Sequence, residues 1–321
     1  MHDSDFFDDL GEGICAIDTG LERRRFAACF LIEGGGEAAL FDAGTSHSVP
    51  RILATLDARG IDRHAVRYVI ASHVHLDHAG GVGALLRELP NASVLAHPRG
   101  VAHLIDPSVL QASAEGVYGA DVVAQAYGAL VAVPEARIRA VGDGEIVDLG
   151  GRALEFLDSP GHARHHVTLF DARSASWFTG DCFGISYREF DGGSAPFVFP
   201  TTSPIQFDPP AMKATIARML ERTPRAMLLT HYSRILDADA RGATLVRLID
   251  AQVALARECA QDADPVAALT EALHRLFFDE VRRLGSPVSA QDTRRLLAID
   301  AELNAKGMLI WLARAAKTDR A

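Results

Sequence analysis

Three imidazoles and a carboxylate fall within one turn of chain at His73-Val74-His75-Leu76-Asp77-His78. A lone His at a strand end is usually a satisfied polar residue. Four such groups together each need a partner once desolvated, and divalent cations satisfy them all at once. The chemistry to expect is therefore metal binding. Metal ligands tolerate only ~0.2 Å of error in distance, so they need a rigid support. The apolar, β-branched run Val66 to Ser72 immediately before them reads as a strand buried on both faces. Ala79-Gly80-Gly81 after them lets backbone approach closely. A helix beginning near His78 would turn its positive end towards the site and favour an anionic substrate group.

Further candidate ligands also stand at strand ends. His162 lies in the turn Ser159-Pro160-Gly161-His162 after the strand Ala153 to Leu157. Asp181 follows Phe178-Thr179-Gly180, and His231 follows Leu228-Leu229-Thr230. Around these the chain reads as short strands at Ile14 to Asp18, Phe26 to Glu33 and Ala38 to Asp42, with Gly34-Gly35-Gly36 as a turn. Helical spacing at Val49 to Ala58, Val82 to Leu89 and Gly100 to Leu110 alternates with the strands Val66 to Ser72 and Ser93 to His97. Val117 to Val131 reads as either a helix or a loop over a site. Short strands then run from Ile138 to Thr179, broken by Gly142-Asp143-Gly144 and Gly150-Gly151, and indicate a second sheet. After the helix Pro210 to Arg222, the last strand is Ala226 to Thr230. Three helices are predicted beyond it, at Asp239 to Ala260, Asp264 to Leu284 and Ser289 to Ala316. In the middle one Pro265 opens the first turn, and Val266, Leu269, Leu273, Phe277 and Leu284 line one side.

The 321 residues are 48% hydrophobic and 23% charged, which indicates a folded globular chain. The formal charge of −10 gives no whole-molecule field for nucleic acid or an anionic membrane. Met1-His2-Asp3-Ser4-Asp5 lacks the basic start of a secretory signal, and no apolar run approaches the roughly 20 residues of a bilayer span. The expectation is a cytoplasmic protein acting on a small-molecule substrate, with a homodimer left open. Cys15, Cys29, Cys182 and Cys259 form no Cys-x-x-Cys pair, so a disulfide framework is not indicated.

The order and setting of these residues resemble the metallo-β-lactamase superfamily, and within it the glyoxalase II and lactonase-like branch, over roughly residues 13 to 235. Asp42-Ala43-Gly44 matches the first motif and is preferred to Asp18-Thr19-Gly20. The cluster at 73 to 78, His162, Asp181 and His231 match the rest. The resemblance implies an α/β fold, a four-layer αββα sandwich with a C-terminal helical region. Residues 1–235 would form the catalytic domain and 236–321 a helical region packed on it. It further implies that His73, His75 and His162 hold one metal ion, that Asp77, His78 and His231 hold a second, and that Asp181 bridges the two. Asp42 would orient the site without binding metal.

Two cations lower the pKa of a shared water from 15.7 towards about 7 and polarise the oxygen under attack. The expected activity is therefore hydrolysis of an ester, thioester or lactone by a metal-bound hydroxide, with Asp77 and Asp181 as catalytic carboxylates. Zinc is the first expectation, and His ligands also accommodate iron or manganese. Lactamases commonly carry Cys at the position of Asp181 and are exported. Nucleases would want a basic arm, and the flavodiiron branch usually has Glu at the position of His75. Two other readings stay open: a mononuclear iron sulfur dioxygenase, and a metal-stabilised binding or regulatory protein. His165, Tyr187 and Phe197 are substrate-contact candidates, with Ala195 to Pro200 as an acyl wall. His166 is a possible proton donor, and Tyr118 and Tyr127 are possible lid residues. Cys182, His97, His103 and His274 read as structural.

Overall fold

The computed structural model describes residues 6–202 and 205–318, with the side chains of residues 117, 118 and 318 outside the description. The candidate lid side chain of Tyr118 and the acidic start at residues 1–5 thus lie outside the described residues. Contacts divide the chain into two compact units. The first comprises residues 1–158, 165–180 and 224–236; the second comprises 159–164, 181–223 and 237–321.

Both sheets belong to the first unit. Among the described residues one sheet runs in sequence order through β1 (Phe7–Gly11), β2 (Ile14–Asp18), β3 (Ala28–Gly34), β4 (Glu37–Phe41), β5 (Val66–Ala71), β6 (Ser93–Ala96) and β7 (Ile138–Ala140). The other has the order β13-β12-β11-β10-β9-β8, formed by β8 (Ile146–Leu149), β9 (Arg152–Asp158), β10 (Val167–Asp171), β11 (Ser176–Gly180), β12 (Ala226–Leu229) and β13 (Ser233–Ile235). Strand β5 pairs in parallel with β4 on one side and β6 on the other, which explains its near-continuous apolar run.

Alternation along each strand sorts side chains between two cores. Ala16, Phe30, Phe41 and Ile70 of the first sheet meet Leu154, Phe156, Phe178 and Leu228 of the second. The Phe178 ring lies 5.4 Å from Phe30 and 5.5 Å from Phe41. On the opposite face Ile17, Leu31, Leu40 and Val69 pack with Ile52 and Leu56 of α1 (Val49–Ala58) and with later helical residues Val82, Leu85 and Leu104. The fold class is the expected one: a mixed α/β fold with two sheets face to face, followed by C-terminal helices.

Local differences have local causes. The expected helix Gly100 to Leu110 is two pieces, because Pro107 forces Asp106 into extended backbone. Following α2 (Leu76–Ala79) and α3 (Val82–Glu88), these are α4 (Pro98–Ile105) and α5 (Ser108–Tyr118). The segment Val117 to Val131 is largely helical: α6 (Ala120–Tyr127) starts after Gly119 at φ +89° and stops at Gly128 at φ +70°. Strand β1 was not predicted, because Asp8 and Asp9 break its pattern at the edge of the sheet.

The second unit contains α7 (Pro209–Leu220), α8 (Ala238–Cys259), α9 (Pro265–Arg283), α10 (Ala290–Leu296) and α11 (Ala298–Thr318). The Asp264 side chain caps α9 by accepting from Ala267 N–H, and Leu269, Leu273, Phe277 and Val281 are buried. The third predicted C-terminal helix is broken at the buried Leu297. The ring of Phe277 lies 5.1 Å from Phe199, and Asn304 accepts from Thr202 N–H and donates to the carbonyl of Pro200. Segment 181–223 and the C-terminal helices therefore share one core. No described helix is long and apolar enough to cross a membrane.

Candidate metal centre

Asp42 follows β4 directly and is fully buried at φ +61°. Four donors surround its carboxylate. Oδ1 accepts from Ser72 N–H at 2.8 Å; Oδ2 accepts from Ser72 Oγ at 3.0 Å, Thr230 Oγ1 at 2.9 Å and His78 Nδ1 at 2.8 Å. The ends of β4, β5 and β12 thus meet on one side chain. Asp18, the rival for this role, instead closes its own loop by accepting from Gly20 N–H and Arg25 N–H.

Beyond β5 the chain turns at Ser72, and His75 precedes the single turn of α2 that carries Asp77 and His78. With four residues this helix has too little summed dipole to support the anion site expected of it. His78 Nε2 lies 3.5 Å and His231 Nε2 3.2 Å from Asp77 Oδ2. Asp77, His78 and His231 each direct one ligand atom to within 4.8 Å of the others. The far nitrogen of each ring meets an acceptor: His78 Nδ1 meets Asp42, and His231 Nδ1 meets the carbonyl of Phe26 at 3.0 Å. A proton on Nδ1, donated to that acceptor, would leave the Nε2 lone pair of each ring for a cation. Two imidazole lone pairs and a carboxylate converging in this way form a donor set suited to a divalent cation such as zinc, iron or manganese.

In the same unit His73 is buried, with Nδ1 3.0 Å from Ser72 Oγ and Nε2 2.7 Å from His75 Nδ1. His166, fully buried, stacks on His73 with ring centres 4.9 Å apart. His165 is 6% exposed, lies 6.2 Å from His73 and 6.4 Å from His103, and places Nδ1 3.5 Å from Val74 N–H. His97 caps α4 by accepting from Arg99 N–H, and burial pushes its pKa down despite Asp158 nearby.

The second unit holds its own pair. His162 Nε2 lies 3.3 Å from Asp181 Oδ2, both side chains are buried, and His162 Nδ1 lies 3.3 Å from the carbonyl of Thr201. Cys182 Sγ donates to the carbonyl of Ser159 at 2.9 Å. Tyr187 is buried against Phe199 and donates its hydroxyl to Asp300 at 3.0 Å. Phe197 is 1% exposed and stacks on Phe199. These surroundings give Tyr187 and Phe197 places in the core of the helical unit.

Sequence reasoning passed over Ser72, Thr230 and the carbonyl of Phe26. A signal for the first two was present: a hydroxyl residue directly precedes His73 and His231 alike. The carbonyl of Phe26 left no trace, since a main-chain acceptor has no residue signature.

A family model of the metallo-β-lactamase superfamily matches residues 23–231, and the chain belongs to that superfamily. Its class is that of a metal-dependent hydrolase. It is 29% identical over 224 residues to the metallo-β-lactamase fold-containing protein ST1585 of Sulfurisphaera tokodaii, covering 68% of this chain and 78% of that protein. It is also 29% identical over 186 residues to the acyl-coenzyme A thioesterase MBLAC2 of Bos taurus, covering 54% of this chain and 64% of the relative, just under two thirds of its length. The crystal structure of ST1585 superposes with a TM-score of 0.62 at 26% identity, over 74% of this chain and 86% of that one.

Proposed function

We propose that the protein is a dinuclear metal-dependent hydrolase of acyl thioesters. The arrangement of Asp77, His78 and His231, with the outer nitrogen of both rings held by acceptors, carries the metal-dependent part of this reading. The thioester part rests on similarity to MBLAC2 and, at 27% identity over 154 residues, to an atrochrysone carboxyl ACP thioesterase of Pseudocercospora fijiensis. Ester and lactone substrates belong to the same reading, since the acyl carbonyl is common to all three.

In this proposal Asp77, His78 and His231 would hold one ion and His73, His75 and His162 the other, with Asp181 a carboxylate available to both. When bound, the ions supply a water of lowered pKa and polarise the acyl oxygen. The chain's part is orientation. Asp42 fixes the ring of His78, and the carbonyl of Phe26 fixes that of His231. No serine or cysteine nucleophile is required, in keeping with the engagement of Cys182 by Ser159.

The test is metal analysis of freshly purified protein, followed by assay of thioesters, lactones and phosphodiesters before and after chelation. Two equivalents of divalent metal per chain are expected, with thioester hydrolysis lost on chelation and restored by zinc, iron or manganese. Metal-independent hydrolysis, or one iron per chain with oxygen uptake on a persulfide, would defeat the proposal.

A further inference from the structure

We infer that Ser72 is a positioning residue that extends the hold of Asp42 from His78 to His73. The inference rests on the proposed role of His73 as a metal ligand, and its geometry lies wholly within the first unit. Ser72 Oγ stands 3.0 Å from Asp42 Oδ2 and 3.0 Å from His73 Nδ1, and Ser72 is fully buried. A hydroxyl has one proton to give. Asp42, ringed by Ser72 N–H, Thr230 Oγ1 and His78 Nδ1, is an acceptor, so the Ser72 proton goes to it. The remaining lone pair of Ser72 Oγ then faces His73 Nδ1, which must donate. That leaves the proton of His73 on Nδ1 and a lone pair on Nε2, the atom that faces His75.

One carboxylate thereby sets the tautomers of two imidazoles, directly for His78 and through a single hydroxyl for His73. Ser72 is itself fixed from both sides. Its N–H donates to Asp42 Oδ1 at 2.8 Å and its carbonyl accepts from Val167 N–H at 2.8 Å. The hydroxyl can therefore reach few positions, and His73 inherits that restriction. His78 Nδ1 lies 2.8 Å from Asp42 Oδ2 and 3.4 Å from Ser72 Oγ, so the carboxylate is its shorter partner, and removing the hydroxyl releases His73 while His78 keeps Asp42.

Nitrogen-resolved imidazole NMR of the metal-free wild-type protein tests the tautomer without any substitution: His73 is expected to be protonated on Nδ1, and protonation on Nε2 overturns the inference. Ser72→Ala should give a mixed His73 tautomer with His78 unchanged, and should weaken binding of one of two zinc ions about 10- to 100-fold in chelator competition. Ser72→Thr, which keeps the hydroxyl, should restore the His73 signal. Zinc affinities within twofold of wild type in Ser72→Ala, with the His73 signal unmoved, would reduce the hydroxyl to packing. Wild-type protein that binds no metal would instead defeat the hydrolase reading, and the tautomer result would stand apart from it.

Discussion

Asp42 accepts from four donors in a site closed to water, so an amide in its place must turn an NH2 group towards at least one of them. Asp42→Asn should cost about 1–3 kcal/mol of stability, the penalty of a buried donor without an acceptor. It should also lower zinc retention, because His78 loses its orienting acceptor; denaturant titration and metal analysis would show both. His75→Ala is expected to lose one metal equivalent and essentially all hydrolysis, with full activity at undiminished metal content the contrary result. At this scale the candidate ligands were legible, because imidazole and carboxylate at strand ends are unusual enough to be noticed in one dimension. What holds them was not. Ser72 matters through the proton it cannot give twice. Tyr187, singled out by its distance from Asp181 along the chain, bonds to Asp300, 113 residues away.

Strands are tied to one another by a buried ion pair as well as by their ladders. Arg152, on β9, makes a forked contact with Asp171 on β10 at 2.9 and 2.6 Å, and its other end donates to the carbonyls of Glu12 and Glu33. Arg152→Ala leaves Asp171 charged in the interior and should cost ~3–5 kcal/mol by denaturant titration. Burial pushes the Asp171 carboxyl up, but Arg152 and Ser174 more than offset it, so its pKa lies below the ordinary value of 3.8. In the helical unit burial likewise raises Glu280, and Arg283 and Arg247 outweigh it. Carboxyls whose pKa falls on folding stabilise above their unfolded values of 3.8 and 4.5, and that stability drains away as pH drops through the lower folded values. The denaturant midpoint should therefore hold steady from pH 7 to about 5 and fall below about pH 4. Glycine marks another joint: a Cβ on Gly180, at φ +49°, would lie 2.5 Å from His166 Nε2 and 2.9 Å from Ser72 Cβ. Gly180→Ala should displace both and lower metal affinity along with stability. Elements were readable where pattern and burial agree, as at Ile14–Asp18 and Val66–Ala71. They were misread where one predicted helix is two, at Pro107 and at Leu297, while Val117 to Val131, open between helix and loop, is largely helical.

For the whole molecule, helices α8 to α11 share a core with segment 181–223. Phe277 covers Phe197 and Phe199, Asn304 holds Thr202 and Pro200, and Arg314 donates to the carbonyl of Phe207. Deleting residues from Asp239 onward should therefore expose an aromatic cluster centred on Phe199 and give aggregated protein, measurable by light scattering. A soluble, monodisperse truncation would show that segment 181–223 is stable alone. The C-terminal helices could be read from their caps and apolar stripes. Their partners could not, because an amphipathic stripe says that a face is covered without saying by what.

The helical unit is threaded from three separate stretches, and the strands β12 and β13 of the sandwich are made only after the second of them. A ribosome releasing this chain from its first residue cannot finish the sandwich until residue 236 has emerged, by which time 49 residues of the other unit are already outside and waiting for α8 to α11. Neither half can be lifted out by one cut in the gene. Recombination would have to exchange the two together or graft at several junctions at once.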